Sequence, residues 1–158
     1  MANTQSMTTS FMEELLTGTH NFGTAPIRAS GAADTFKAAL YVDIATYNAS
    51  TTAYSVTNEV SGSGYSAGGV TVTNATPPTS TNSSATAGVA YWTPSASIVY
   101  TGVTLTTAFD TMLMYNSTQS NKAVAVFTFG SQTITSGNFT LTMPTNNTTN
   151  ALLRLSTT

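Results

Sequence analysis

The stretch Phe36-Lys-Ala-Ala-Leu-Tyr-Val-Asp-Ile44 decides the fold that this sequence predicts. Apolar residues stand at every second position, and the residues between them form a wetter set. Successive side chains of a β-strand point to opposite faces, so this period of two indicates a strand with one buried face. The residues predicted to face the core are Phe36, Ala38, Leu40, Val42 and Ile44, and those of the wetter face are Lys37, Ala39, Tyr41 and Asp43.

Strand patterns continue along the rest of the chain. The further predicted strands are Tyr54–Val60, Gly69–Thr73, Ile98–Thr107, Met112–Tyr115, Ala123–Phe129, Gln132–Thr135, Phe139–Met143 and Leu152–Leu155. The turn sequences between them include Ser61–Gly64, Gly68-Gly69, Asn116-Ser117 and Ser136–Asn138. No helical pattern recurs between the strands, which argues against βαβ units. We therefore predict an all-β domain over residues 31–158, an antiparallel β-sandwich or jelly roll. Its predicted core includes Phe36, Leu40, Val42, Ile44, Val124, Val126, Phe139 and Leu141.

Residues 1–30 form an N-terminal arm with a short helix in this prediction. Ser10 and Glu13 match the S-x-x-E capping box that begins a helix, and Gly18 is placed to end it. A helix of about seven or eight residues is not stable alone in water, so its apolar side needs a partner surface. We expect the arm to dock on a neighbouring subunit or a larger assembly. The predicted contact residues are Phe11, Leu15 and Leu16 on one helix face, followed by His20 and Phe22. Residues 1–9 are expected to be mobile.

The composition limits the possible partners and cofactors. The 158 residues include ten charged ones, no cysteine, one histidine and 34 threonines. With net charge −2 and four basic residues, the chain has no basic surface for nucleic acid or an anionic membrane. The lack of cysteine removes thiolate chemistry and zinc–thiolate sites. We expect no cofactor and no metal, no membrane-spanning segment and no secretory signal.

Catalysis is not expected, because the chain has few residues that perform it. His20 is the only candidate general base, and no nucleophile motif accompanies it. Glu13 and Glu14 are adjacent, so on a helix they point about 100° apart and do not form a working pair. A phosphate loop at residues 62–69 would need a lysine and a following helix, and both are missing from the pattern. We predict that the protein is not an enzyme and has no catalytic residues.

The stretch 74–88 is rich in Thr, Ser and Pro and is predicted to be a long surface loop, since Pro77-Pro78 does not fit a central strand. Tyr91 and Trp92 follow it closely. These two aromatic side chains are candidates for an exposed surface that stacks on a sugar or anchors an interface. Core packing is the simpler interpretation, and we favour it.

Several segments in order resemble a family of small virion structural proteins of tailed bacteriophages. They are EELLTGTHNF (13–22), DTFKAALY (34–41), TTAYSVTNE (51–59), GSGYSAGGV (62–70) and AVAVFTFG (123–130). The resemblance covers most of residues 13–155. It implies a place in the virion, after synthesis in the cytoplasm of a host bacterium, and it supplies no catalytic residues.

From this resemblance and the composition we predict a capsid decoration or cement protein. It would stabilise the phage head through contacts with other copies of itself and with the major capsid protein or another virion protein. The alternative is a structural component of the collar, tail or fibre base. A carbohydrate-binding adhesin that uses Tyr91 and Trp92 is a third, less favoured hypothesis.

Overall fold

Two antiparallel sheets and one short helix make up the described residues of the computed structural model, which are 3–16, 18–23, 33–81 and 88–156. The elements are β1 (Ser6–Met7), α1 (Thr9–Leu16), β2 (Phe36–Val42), β3 (Val70–Thr71), β4 (Thr79–Ser80), β5 (Val89–Trp92), β6 (Ile98–Asn116), β7 (Lys122–Leu141) and β8 (Leu153–Ser156). The five-stranded sheet has the order β1-β7-β6-β2-β3, and the three-stranded sheet has the order β4-β5-β8. The sheets pack against each other, which confirms the predicted all-β sandwich with a short N-terminal helix.

The strand β2 confirms the pattern at 36–42 but not its end. All seven residues pair with β6, and the register shifts between Tyr41 and Val42. A turn follows, in which the amide of Ala45 donates to the carbonyl of Val42 at 3.0 Å. This turn carries Ile44 out of the strand, so Ile44 is 77% exposed and its predicted burial is wrong. Val42, at the end of the strand, is only partly buried.

The second face of β2 is also buried, which the alternation did not predict. Ala39 and Tyr41 are fully covered, and Tyr41 packs against Tyr47 with ring centroids 4.0 Å apart. Tyr47 belongs to the segment after β2, which lies over this face together with Tyr54. The main sheet therefore has a cluster of buried side chains on each side of β2, and neither face of β2 is a solvent-exposed face.

The hairpin of β6 and β7 joins five of the predicted short strands into two long ones. It turns after Asn116, where the turn was predicted. The predicted turn at Ser136–Asn138 is wrong, because the ladder continues through it with shifts of register. Ser136 takes a positive φ of 49° there, and the side chain of Asn138 accepts from the amide of Gly102 at 2.8 Å. These local irregularities bend the hairpin without ending it.

The outer part of the hairpin is less buried than the sequence predicted. Val124 and Val126 are buried as expected, but in different clusters, because Val124 lies in the main core and Val126 packs with Tyr41 on the other side of the sheet. Phe139 and Leu141, near the other end of β7, are only partly buried and pack at the margin of the core.

The edge of β2 that faces away from β6 is covered in two sections. A glycine-rich loop, residues 61–69, lies between these sections, and we call it the excursion. Residues 58–60 pair with one end of β2 and residues 70–72 with the other. In the gap, the Tyr65 hydroxyl accepts from the amide of Leu40 at 3.0 Å and donates to Glu59 Oε1 at 2.6 Å. Burial, together with the Glu59 carboxylate, raises the pKa of Tyr65 and keeps its hydroxyl protonated as a donor. The excursion is therefore a covering loop for the strand edge.

The predicted arm is joined to the β domain over its described residues. β1 pairs with β7 in the main sheet, so residues 6 and 7 are not the mobile segment that we expected. The predicted capping box does not form, because α1 already begins at Thr9 and places Ser10 inside its first turn. The Ser10 hydroxyl is buried and has no hydrogen-bond partner among the described atoms. No helix in the described part of the chain has the length and apolar character needed to cross a membrane.

Candidate functional site

A buried polar network lies beneath α1. The helix turns Glu14 inward, on the same side as Phe11, because residues three apart share a helix face. One carboxylate oxygen of Glu14 lies 2.7 Å from His20 Nε2, and the other lies 2.5 Å from Lys122 Nζ at the start of β7. The side chain of His20 is 0% exposed. This pairing connects the helix to the segment after it and to the main sheet.

Asn116 and Asp34 extend the network on the other side of the imidazole. The amide nitrogen Nδ2 of Asn116 lies 3.0 Å from His20 Nδ1 and 2.7 Å from Asp34 Oδ2. Asp34 also accepts from the backbone amide of Asn21 at 2.8 Å. We call the five side chains of Glu14, His20, Asp34, Asn116 and Lys122 the His20 network. They come from three parts of the sequence and tie α1 and residues 18–21 to the sheet.

The surroundings of His20 are aromatic as well as polar. The rings of Phe11, Phe22 and Phe36 lie with their centroids 4.9, 6.2 and 6.3 Å from the imidazole. Burial lowers the pKa of His20 below its ordinary 6.5, although the hydrogen bond and charge of Glu14 and the charge of Asp34 oppose this effect. Both ring nitrogens are engaged and the ring is enclosed, so the imidazole is placed to hold segments together.

An apolar groove lies between the arm and the small sheet. Its volume is about 140 Å³. We call it the apolar groove, and its lining residues are Met7, Leu15, Phe22, Pro78, Ala90, Tyr91, Trp92, Leu153, Arg154 and Leu155. Ala90 and Leu155 are cross-strand partners, as are Trp92 and Leu153, so one face of the small sheet forms one wall. Leu155 is 65% exposed. The groove has the size of a cavity that holds a benzene-sized apolar group.

The two aromatic candidates occupy different positions at this groove. Tyr91 is half-buried and lines it. Trp92 is 2% exposed, and its indole N–H donates to Asn74 Oδ1 at 2.9 Å and to the carbonyl of Thr76 at 3.1 Å. Trp92 is therefore not available as a surface aromatic, and the favoured core-packing interpretation holds for it, because Trp92 packs against Phe22 in the main core.

The five predicted arm contacts separate into three groups. Phe11, His20 and Phe22 are buried within their own chain, and Leu15 is partly buried at the groove. Leu16 is 92% exposed, so the three helix residues do not share one buried face. At 100° per residue, Leu16 lies about 140° around the helix from Phe11, whereas Glu14 lies close to it. The buried face of α1 therefore contains a carboxylate that the sequence pattern had not indicated.

The sequence pattern did not indicate the roles of Glu14, Asp34, Asn116 and Lys122. The sequence pattern gave Glu14 only as the neighbour of Glu13 and Asn116 only as a turn residue, and the four residues lie up to 108 positions apart. No local spacing pattern predicts such a meeting. Among the described residues, no group of three His, Asp or Glu side chains is arranged to hold a metal ion.

No family model, no curated protein and no solved structure matches this chain.

Proposed function

We propose that this protein is a structural component of a tailed-bacteriophage virion and acts as a capsid decoration or cement protein. The observation that carries the proposal is the scarcity of charged residues on a β scaffold. Between Val60 and Leu153 the chain has two charged residues, Asp110 and Lys122. Charged residues are depleted at the centres of protein interfaces, because burying an unpaired charge is costly. A surface of this composition suits contact with other proteins.

The β6–β7 hairpin supports this proposal through its exposed threonines. The exposed threonines of its two strands are Thr101, Thr106, Thr107, Thr133, Thr135 and Thr140. Threonine favours the pleated surface of a strand and offers a hydroxyl for hydrogen bonds without a charge. Exposed threonines of this kind can lie against a neighbouring copy or against the shell with their polar atoms paired.

The apolar groove supplies a candidate anchoring point. It opens at Leu155, and its lining combines the arm with the small sheet. An apolar side chain of a neighbouring virion protein is the occupant that fits its size and lining. Each such contact is weak, but many copies on one lattice stabilise the shell through multivalency. The proposal contains no catalytic step.

The experiment is a measurement of attachment to phage particles. Purified protein would be added to particles that lack it, and bound copies would be counted by quantitative mass spectrometry and cryo-electron microscopy. On the order of hundreds of copies on the head is the expected result, whereas about a dozen at the collar or tail would favour the alternative structural role. No specific binding to any part of the particle would refute the proposed function.

A pair of variants tests the groove. Leu155→Asp places a carboxylate at the groove mouth and should lower attachment by about tenfold or more, because an unpaired charge would be buried in the contact. Val56→Asp is the matched control, since Val56 is 67% exposed and does not line the groove. Equal attachment of both variants would remove the groove from the proposal while leaving the location on the particle open to the copy count.

A further inference from the structure

The orientation of the Asn116 side chain is fixed by the backbone that follows β6. Its carbonyl oxygen accepts from the amides of Thr118 and Gln119, both at 3.1 Å. If the carboxamide were flipped, its NH₂ group would face these two N–H donors and both hydrogen bonds would be lost. The oxygen therefore points to the turn, and the NH₂ group points to His20 and Asp34.

This orientation in turn fixes the protonation of His20. One hydrogen of Asn116 Nδ2 goes to Asp34 Oδ2, and the other goes to His20 Nδ1. Nδ1 must then be an acceptor without a proton, so the neutral ring carries its hydrogen on Nε2 and donates it to Glu14 Oε2 at 2.7 Å. Every polar atom of this part of the network has a partner only while the imidazole is neutral.

We propose that the His20 network is a pH-sensitive latch, which holds residues 3–16 and 18–23 on the β domain while His20 is neutral and loosens them when His20 is protonated. A proton on Nδ1 would face the NH₂ group of Asn116, so that two donors oppose each other in a buried site. Rotation of the ring does not relieve this conflict, because both nitrogens of the imidazolium carry hydrogen.

The charged groups around His20 set the direction of the effect. Glu14 from α1 and Asp34 from the segment before β2 favour the charged ring, whereas Lys122 from β7 disfavours it. Burial is the largest influence and places the pKa in the folded protein below 6.5. At a pH between the two values, the unfolded chain binds more protons than the folded one. The contribution of the latch is therefore complete above the unfolded pKa and is lost as the pH falls below it.

The latch holds one edge of the main sheet and one wall of the apolar groove. The amides of Thr4, Thr8 and Thr9 donate to the carbonyls of Tyr47, Val124 and Ala49 at 3.0, 3.2 and 2.9 Å. Met7, Leu15 and Phe22 from the same segment line the groove. Loosening would free these backbone bonds and open the groove. The effect of this loosening on attachment to particles rests on the proposed function, whereas the latch itself can be tested in the isolated protein.

The single histidine makes a direct experiment possible. The imidazole resonances of the full chain would be followed by NMR from about pH 8 to about pH 5, the range in which histidine titrates. We expect the Nε2–H tautomer and a midpoint below 6.5, the ordinary value. Hydrogen exchange at the amides of Thr4, Thr8 and Thr9, corrected for the intrinsic rate, should become about tenfold faster at the acid end. The amide of Met112 in β6 should change much less.

Two variants make the test specific. Asn116→Asp replaces the opposing donor with an acceptor, so the His20 midpoint should rise; only this midpoint is read from the variant, because the new carboxylate also faces Asp34 Oδ2. His20→Gln has no titrating ring, so its exchange at Thr4, Thr8 and Thr9 should not depend on pH in this range, whatever its absolute level. A wild-type midpoint at or above 6.5, or acid-induced exchange that persists in His20→Gln, would overturn the latch. Either result would leave the proposed function standing, and failed attachment of a protein with a working latch would overturn the function alone.

Discussion

Replacing Gly69 with alanine should destabilise the protein by more than about 4 kcal/mol, a range reached by few single substitutions. A Cβ at this position would lie 1.6 Å from the carbonyl oxygen of Ala38 and 2.8 Å from the Cα of Ala39. Both are backbone atoms of β2, which is paired with β6 along all seven of its residues and cannot retreat without breaking that ladder. Gly69 also has a φ of +68°, which an L-residue rarely adopts. Steric overlap and backbone strain therefore act together.

Two other glycines separate these causes. Gly102 has a φ of +63°, and a Cβ there would meet no atom within 4 Å, so Gly102→Ala should cost only the backbone strain, about 1–2 kcal/mol. Gly130 also has open space, and its φ is not positive. Gly130→Ala should be neutral or stabilise by up to about 1 kcal/mol, because alanine has less backbone freedom to lose on folding.

Guanidinium unfolding, followed by the fluorescence of the single tryptophan, provides the assay. Trp92 is buried between the sheets and reports on the core. We expect Gly130→Ala to be the most stable of the three variants and Gly102→Ala to be less stable. Gly69→Ala should be unfolded or close to it. If Gly69→Ala is as stable as Gly102→Ala within about 1 kcal/mol, the close approach of the excursion to β2 is refuted, because strain alone would then account for the loss.

The remaining predictions concern single contacts. Tyr65→Phe removes the hydroxyl that accepts a hydrogen bond from the Leu40 amide, so it should lower the free energy of unfolding by about 1–3 kcal/mol. Hydrogen exchange at that amide should become faster, and unchanged exchange would contradict the hydrogen bond. Phe36→Ala should cost about 3–5 kcal/mol, because the ring is fully buried, whereas Phe139→Ala should cost less, because its ring is only partly buried. Thermal unfolding by circular dichroism compares the two, and an equal loss would argue against the margin position of Phe139.

Local sequence patterns predicted a strand correctly where one of its faces packs into a single core. The alternation at 36–42 predicted a strand because the side chains on its inner face pack into one large core. This holds regardless of which residues cover the outer face. The same pattern could not show that Tyr41 is also buried, since the layer over it comes from Tyr47 and Tyr54 further along the chain. The division of β7 into three strands failed for a related reason. Ser136 and Gly137 are ordinary turn residues, and only pairing with β6 makes them an irregularity within a strand.

The sequence by itself determined the all-β class, the position of the first long strand, the turn after Asn116 and the scarcity of charge. These features depend on side-chain period, turn chemistry and composition, which are local properties. Only the tertiary structure decided that Glu14 faces inward, that Trp92 lies in the core and that the arm joins the main sheet. Glu14, His20 and Asn116 come together because α1 packs beside the β6–β7 turn, and a buried carboxylate is stable there only with the partners that this packing supplies.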